Sequence, residues 1–228
     1  MKTLIKIENL NYSIPYGPQI LEDINFCLQE GEFLGVLGRN GAGKTTLMDL
    51  ILGFRPSTSG KIEVLGENPI SLNRKKLSSI CFLSQDSILK GTISIGQYLK
   101  FYSSFYPSYS KEEELFLLDF FSLKPEDQIG SLSTGQQKKV QAVGSLSTLP
   151  RLVLIDEITA VLDPETRNQF FKVLSHLREK NGLGIILATN IAEDLISRAD
   201  KVLFIDQCKG SIKNPSEILS LFKIEKAA

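Results

Sequence analysis

A chain of 228 residues, 42% of them hydrophobic, can fill one good-sized packed domain, or a core with a lobe inserted into it. Its 26 basic residues cancel 26 acidic ones, which argues against a surface made for wrapping duplex DNA. No apolar run approaches the roughly 18 residues a bilayer span needs, so the chain is expected to be soluble, with any membrane role supplied through a partner.

The opening segment MKTLIKIENLNYS carries polar residues every few positions and has no signal-peptide core. Within it KTLIKIENL alternates as a half-buried strand does, and QILEDINFCLQ alternates again. Glu30-Gly31 turns into the apolar run EFLGVL. After a glycine-rich loop comes KTTLMDLILG, whose Leu47, Leu50 and Ile51 share one helical face, with Gly53 as the stop. SGKIEVLGE reads as a further strand and LSSICFLSQ as a buried strand ending at Gln85.

From about residue 92 to 147 the texture becomes helical and aromatic. Tyr98, Phe101, Tyr102 and Phe105 recur at helical spacing, Pro107 breaks the run, and Ser110 to Glu113 (SKEE) reads as a capping box. Strand texture returns in RLVLIDEI. Asp163-Pro164-Glu165 then supplies the side-chain cap and first-turn proline of a helix start. The apolar stripe of that helix is Phe170, Phe171, Val173, Leu174 and Leu177, and Asn181-Gly182 ends it. GIILAT and KVLFID are short apolar strands; the ATNIAED stretch between them opens a helix, and NPSEILSLFKIEKAA begins with a capped short helix. Strands alternating with helices imply a parallel sheet covered on both faces, with the helical stretch inserted as a lobe. Cys27, Cys81 and Cys208 fall in no zinc-binding spacing and read as reduced, small apolar side chains.

GRNGAGKT, Gly38 to Thr45, fits the phosphate-loop pattern G-x-x-x-x-G-K-[ST] with a strand before it and a helix after. Gly41 and Gly43 let the backbone curl so that successive N–H groups face phosphate oxygens, and the helix beginning near Lys44 adds its positive end. Lys44 reaches the β- and γ-phosphates, and Thr45 offers its hydroxyl to Mg²⁺. RLVLIDEI delivers Asp156 to the carboxyl end of a strand, where open α/β sheets bind ligands. Asp156 is expected to hold Mg²⁺ through water, and Glu157 is the candidate general base for an attacking water. One of the two carboxylates simply capping the strand end would leave the other without a reason.

With these residues in place the chain resembles the ATP-binding-cassette (ABC) ATPases over nearly its whole length. LSTGQ, Leu132 to Gln136, stands where the family carries its LSGGQ signature, twenty residues before the acidic strand. Gln85 resembles the family's Q-loop, Asp163 in AVLDPET its D-loop, and Tyr16 the aromatic that stacks on adenine. The resemblance implies an α/β fold: a P-loop NTPase (RecA-like) core with an N-terminal antiparallel β subdomain and an inserted α-helical subdomain. Residues 1–91 and 149–228 would form the core and 92–148 the helical part. It further implies ATP and Mg²⁺ as cofactors, nucleotide contacts from Gly38, Arg39, Asn40, Gly41, Ala42, Gly43, Lys44, Thr45 and Thr46, and metal contacts from Thr45, Gln85 and Asp156. Two copies, or this chain and a similar subunit, would close head to tail. Ser133, Thr134, Gly135 and Gln136 would then grip the partner's γ-phosphate. The expected setting is cytoplasmic, at the inner face of the membrane beside an integral transporter subunit, with no nucleic acid bound.

Three residues depart from the family pattern. Thr134 replaces a signature glycine, which is tolerable if that position needs no positive φ; Ile158 replaces a proline; and Asn190 stands where the family has its switch histidine. The single histidine, His176, lies off the apolar stripe of its helix and reads as a solvated surface residue. Asn190 can still donate an amide hydrogen bond, but it is shorter than histidine and carries no proton. The expectation is tight MgATP binding and closure with slow hydrolysis; compensation by a water or a backbone shift would instead leave an ordinary enzyme. The aromatic segment from Gly96 to Phe121 resembles the helical lobe of bacterial exporters of the ABC-2 or antibiotic-resistance kind. Tyr98, Tyr102, Phe105 and Tyr109 read either as core or as a groove for a membrane subunit. The competing functions are a nucleotide-gated, largely non-hydrolysing subunit and a non-transport ABC ATPase. A chromosome-organising relative would be expected to carry a long coiled-coil insertion in the lobe, and a translation factor two cassettes on one chain, so the transport reading is the one expected here.

Overall fold

In a computed structural model, residues 2–87, 89 and 91–218 are described. The first two strands, β1 (Thr3–Ser13) and β2 (Gln19–Gln29), pair antiparallel and bury Leu4, Ile5, Ile7 and Leu10 with Leu21, Ile24 and Leu28, their alternation interrupted by register shifts before Ile5 and between Ile7 and Leu10. All five residues of β3 (Phe33–Leu37) are buried, and the chain then enters α1 (Lys44–Ile51). Strand β4 (Ser59–Val64) returns to pair with β1. A short helix α2 (Arg74–Leu77) precedes β5 (Ile80–Ser84). Three helices follow: α3 (Ile95–Ser103), α4 (Lys111–Phe120) and α5 (Thr134–Leu146). The rest is β6 (Leu152–Asp156), α6 (Pro164–Asn181), β7 (Gly184–Thr189), α7 (Glu193–Ile196), β8 (Lys201–Asp206) and β9 (Lys209–Lys213).

The strands join in one sheet ordered β4-β1-β2-β9-β8-β3-β7-β6-β5. Its parallel part is the run β8-β3-β7-β6-β5, while β4, β1 and β2 are antiparallel and β9 doubles back on β8. The sheet is therefore mixed rather than parallel throughout, and β9 is a strand that hydrophobic patterning misses. Its residues KGSIK carry little apolar signal, and the β8–β9 turn uses Gln207 and Cys208 at φ 45 and 70 rather than the glycine or asparagine that announces such a hairpin.

Strand alternation divides the interior in two. Val153, Ile155, Ile185 and Leu187 face α3, α4, α5 and α6, whereas Leu152, Leu154, Ile186 and Ala188 face α1 and the antiparallel strands. The helices α3 to α5 thus share a continuous core with the sheet face beneath α6. Tyr98 and Tyr102 are half-buried against α5, with the Tyr102 hydroxyl 3.3 Å from Ser145 Oγ, and burial pushes Tyr98 up to about 12. Phe101 and Phe105 of the same segment stay exposed, so the aromatic stripe divides between core and surface.

One local expectation needs correction. Ser110 caps α4 by accepting from the Glu113 amide at 3.1 Å, but Glu113 does not reach back. Its buried carboxylate accepts from Lys180 of α6 at 2.8 Å, so only half of the SKEE box forms. His176 keeps partial exposure, off the buried stripe of α6, with its ring 4.9 Å from that of the exposed Phe116. Asn214 accepts from the Ser216 amide, as a cap should, while residues 219–228 of the expected terminal helix lie outside the described residues. The cysteines are unpaired, and burial raises the Cys81 thiol to about 12. Among the described residues no helix is long and apolar enough to cross a membrane.

Candidate functional site

Three adjacent parallel strands, β3, β7 and β6, end side by side and hold the chemistry at their carboxyl ends. The loop Gly38–Gly43 leaves β3, with Gly41 at φ 81 and Gly43 at φ 99. A side chain at Gly43 is doubly excluded, because a Cβ there would also lie 3.0 Å from Ile20 and Leu21. At Gly38 a Cβ would come within 2.8 Å of the Ile205 carbonyl, so the loop is seated directly on β8.

Lys44 is buried at the head of α1. Its ammonium donates to the carbonyls of Gly38 at 2.9 Å and Arg39 at 3.1 Å, and pairs with Glu157 Oε1 at 3.0 Å. The Thr45 hydroxyl donates to Asp156 Oδ2 at 2.8 Å. Asp156 is buried at the end of β6, and burial is the main cause that raises its carboxyl above the usual range. Its other oxygen, Oδ1, is buried without a partner among the described residues. That orphaned oxygen beside a hydroxyl is the hard-oxygen donor set a small divalent cation takes. Among the described residues no cluster of three or more His, Cys, Asp or Glu could hold a metal by itself, so the other ligands would be water and phosphate.

Glu157 has a left-handed backbone, φ 53, and its N–H donates to the Ala188 carbonyl of β7 at 3.0 Å. This unusual conformation turns its carboxylate back over the loop, where it lines a hollow of about 260 Å³ with Asn40, Gly41, Gly43, Lys44, Thr45 and Thr46. Gln85 follows β5 directly, one residue past the strand it was expected to end, and its N–H donates to the Asp156 carbonyl at 3.1 Å. Gln85, Thr45, Asp156 and Glu157 line a second hollow of about 340 Å³. Asn190, just past β7, donates from Nδ2 to Asn40 Oδ1 at 3.1 Å and lines a third, of about 470 Å³, with Gly38, Arg39 and Asn40. Ala42 packs against the β-rich core behind the loop. Every residue expected in the loop, the acidic pair, Gln85 and Asn190 thus converges on one edge of the sheet.

The remaining expected residues sit elsewhere. Ser133 caps α5 in a complete capping box, its hydroxyl accepting from the Gln136 amide and its own N–H donating to Gln136 Oε1. Ser133, Thr134 and Gln136 are exposed. Thr134 is the first helical residue of α5 and is not among the positive-φ positions, which explains why a glycine is dispensable there. Asp163 caps α6 by accepting from the Thr166 amide at 3.0 Å, and this bond is the first cause that lowers its carboxyl below the usual range. Its Oδ2 lies 3.8 Å from where a Cβ on Gly135 would stand, so the α5 and α6 caps are neighbours. Tyr16 is fully exposed on the β1–β2 turn at φ 58.

Two features escaped sequence reasoning. Lys138 is buried on α5, in line with Gln141, Ala142 and Ser145 on the inward face; a lysine in that stripe was the available signal. Arg167 of α6 pairs with buried Asp194 of α7 at 2.5 Å, joining the helix after Asp163 to the turn after Asn190.

The family model described as ABC transporter matches residues 21–160. A Bacillus cereus relative is 31% identical over 226 residues, 96% of this chain; the chain spans 40% of that relative's length. The linearmycin resistance ATP-binding protein LnrL of Bacillus subtilis is 29% identical over 210 residues, 90% of this chain and 67% of LnrL. Among solved structures, cbiO1 from Clostridium perfringens, part of the ABC transporter complex cbiONQ, superposes with a TM-score of 0.83 at 27% identity, covering 100% of this chain and 94% of its own. With the loop, the acidic strand end and the α5 cap arranged as above, the chain belongs to the ABC transporter family.

Proposed function

We propose that this chain is the ATP-binding and hydrolysing subunit of an ABC transporter, pairing head to tail around two MgATP to drive a separate membrane subunit. The observation that carries this reading is the Lys44–Glu157 and Thr45–Asp156 pairing inside the phosphate loop. Lys44 and Thr45 are held by carbonyls and carboxylates that a triphosphate and its metal would replace. Phosphate oxygens take over Lys44, releasing Glu157 to accept a proton from the attacking water. Thr45 and Asp156, with Gln85 beside them, would hold magnesium, which would supply charge neutralisation at the phosphoryl oxygens. Tyr16 would stack on the adenine, its exposed ring free to do so.

Ser133, exposed at the head of α5, and Gly135 just behind it would serve as a γ-phosphate clamp for the loop of a second copy. That copy is the same chain or a similar subunit. Membership of cbiO1 in a transporter complex supports the membrane partner, and the resistance function in LnrL's name supports export. Residues 92–148 serve as the partner-facing lobe, and the chain works at the inner face of the membrane, away from nucleic acid. Asn190 already contacts Asn40, so its amide lies beside the γ-phosphate end of the loop, yet it cannot relay a proton; turnover is slow.

Calorimetric titration tests the site. ATP with Mg²⁺ binds the wild-type chain, and Lys44→Ala loses binding by about 10²-fold, as expected for a charge-assisted phosphate contact. Equal affinity in the two would refute the site.

A further inference from the structure

We propose that Lys138 is a positioning residue: it locks the Gln85 backbone to helix α5, so that the segment reading one nucleotide moves as a body with the cap that grips the other. The inference rests on the roles given above to Gln85 and Ser133. An ammonium group has three N–H donors, and all three are used. Lys138 Nζ donates to the carbonyls of Ser84 at 2.9 Å and Gln85 at 2.7 Å, and to that of Ser87. One turn further along α5, Gln141 Nε2 donates to the same Ser87 carbonyl at 2.9 Å. The hydroxyls of Ser84 and Ser87 lie 3.2 Å apart, closing the turn from within.

This is not the usual way a lysine is buried. No carboxylate forms an ion pair with it among the described residues; its hydrogen bonds all go to backbone carbonyls, and burial lowers its pKa although the Asp86 charge acts the other way. Gln141 likewise keeps its Oε1 buried without a partner among the described residues, a cost accepted so that Nε2 reaches Ser87. Two polar side chains of one helix face thus carry desolvation costs to hold four residues of backbone.

The held segment lies between the two functional elements. On its sheet side the Gln85 N–H donates to the carbonyl of Asp156, the residue beside Thr45. On its helix side Lys138 is five positions beyond Ser133, within the same continuous α5. A displacement of Gln85 as a metal-bound γ-phosphate arrives or leaves is therefore passed through the ammonium to α5. The cap of α5 holds the nucleotide in the other site, so Lys138 couples the two sites.

The test uses the full chain in three variants, Lys138→Met, Lys138→Arg and Gln141→Leu. Hydrogen exchange without nucleotide reads the clamp directly. Lys138→Met is expected to speed exchange at the amides of residues 84–87 by about tenfold or more, the loss of bonds to a charged donor, while the α5 amides keep their protection. Lys138→Arg restores most of that protection, and Gln141→Leu shows a smaller loss at Ser87. In a Glu157→Gln background, the ATP concentration for half-maximal pairing rises about tenfold with Lys138→Met, and the cooperativity of pairing in ATP falls. Unchanged exchange and unchanged pairing in Lys138→Met overturn the proposal; should that variant not fold, unchanged exchange in Gln141→Leu does so. Failure of the Glu157→Gln chain itself to pair defeats the head-to-tail reading instead, and the exchange result still decides whether the clamp exists.

Discussion

At residue 190 an amide occupies a place that directly faces the phosphate loop. The Asn190–Asn40 hydrogen bond holds an amide donor beside the loop, where the proposed γ-phosphate would lie, but offers no titratable group. Asn190→His is expected to raise ATP turnover by about 10²-fold, the scale on which one positioned donor acts on a transition state, with KM little changed. Steady-state kinetics of the two proteins checks this, and equal kcat values would show that residue 190 does not limit hydrolysis. At the α6 cap, Asp163 offers a pH test. Its carboxyl is held low, first by the Thr166 amide, so its contribution to stability is present above the unfolded aspartate value near about 3.9 and disappears as pH falls through the folded value. Urea unfolding of Asp163→Ala against wild type should show the largest deficit at neutral pH, shrinking below about pH 4. A deficit constant with pH would mean that the cap acts without its charge.

At the scale of elements, helix caps and strand ends carry function because they are where backbone groups lack partners. The residues that fix these ends are partly ion pairs between elements. Arg167 of α6 and Asp194 of α7, the latter almost fully buried, hold the turn after Asn190 against the helix that follows Asp163. Arg167→Ala leaves a buried carboxylate unpaired, so it should destabilise the fold by about 3 kcal/mol, read from denaturant midpoints at constant m. Adding Asp194→Leu in the same chain should recover much of that loss, since the pair rather than either charge is what burial tolerates; no recovery would place the damage elsewhere.

The sequence reveals these elements unevenly. Period-two alternation exposes β1 and β2, continuous apolar runs expose β3, β6, β7 and β8, and Asp163-Pro164 with Gly182 brackets α6 to the residue. The spacing GRNGAGKT and the adjacent carboxylates make the phosphate end of the site readable, because each residue type there has a local reason. The Glu113 half of the SKEE box is not legible locally, since its partner Lys180 lies 67 residues away in sequence (180 minus 113) and no local pattern reports it. Lys138 was overlooked for the same reason: its partners are backbone carbonyls, which every residue has.

For the whole molecule, one sheet separates two cores. One packs behind α1 and the phosphate loop; the other joins α3 to α6 and carries the α5 cap. The loop and the cap therefore belong to different halves of the core. Under the proposed function, two copies related head to tail would supply both halves to each nucleotide, and ATP would favour the closed pair because its γ-phosphate would be bonded from both sides. On the same proposal, hydrolysis would remove that preference and let the pair open, a motion that a membrane subunit could use.

The most direct measurement is the mass in solution of the Glu157→Gln chain, by light scattering or sedimentation, with MgATP and with MgADP. The account predicts a doubling of mass, or an equimolar complex with its companion subunit, in MgATP alone, and none when Lys44→Ala is added. A single-copy mass under MgATP, both alone and with the companion, would contradict it.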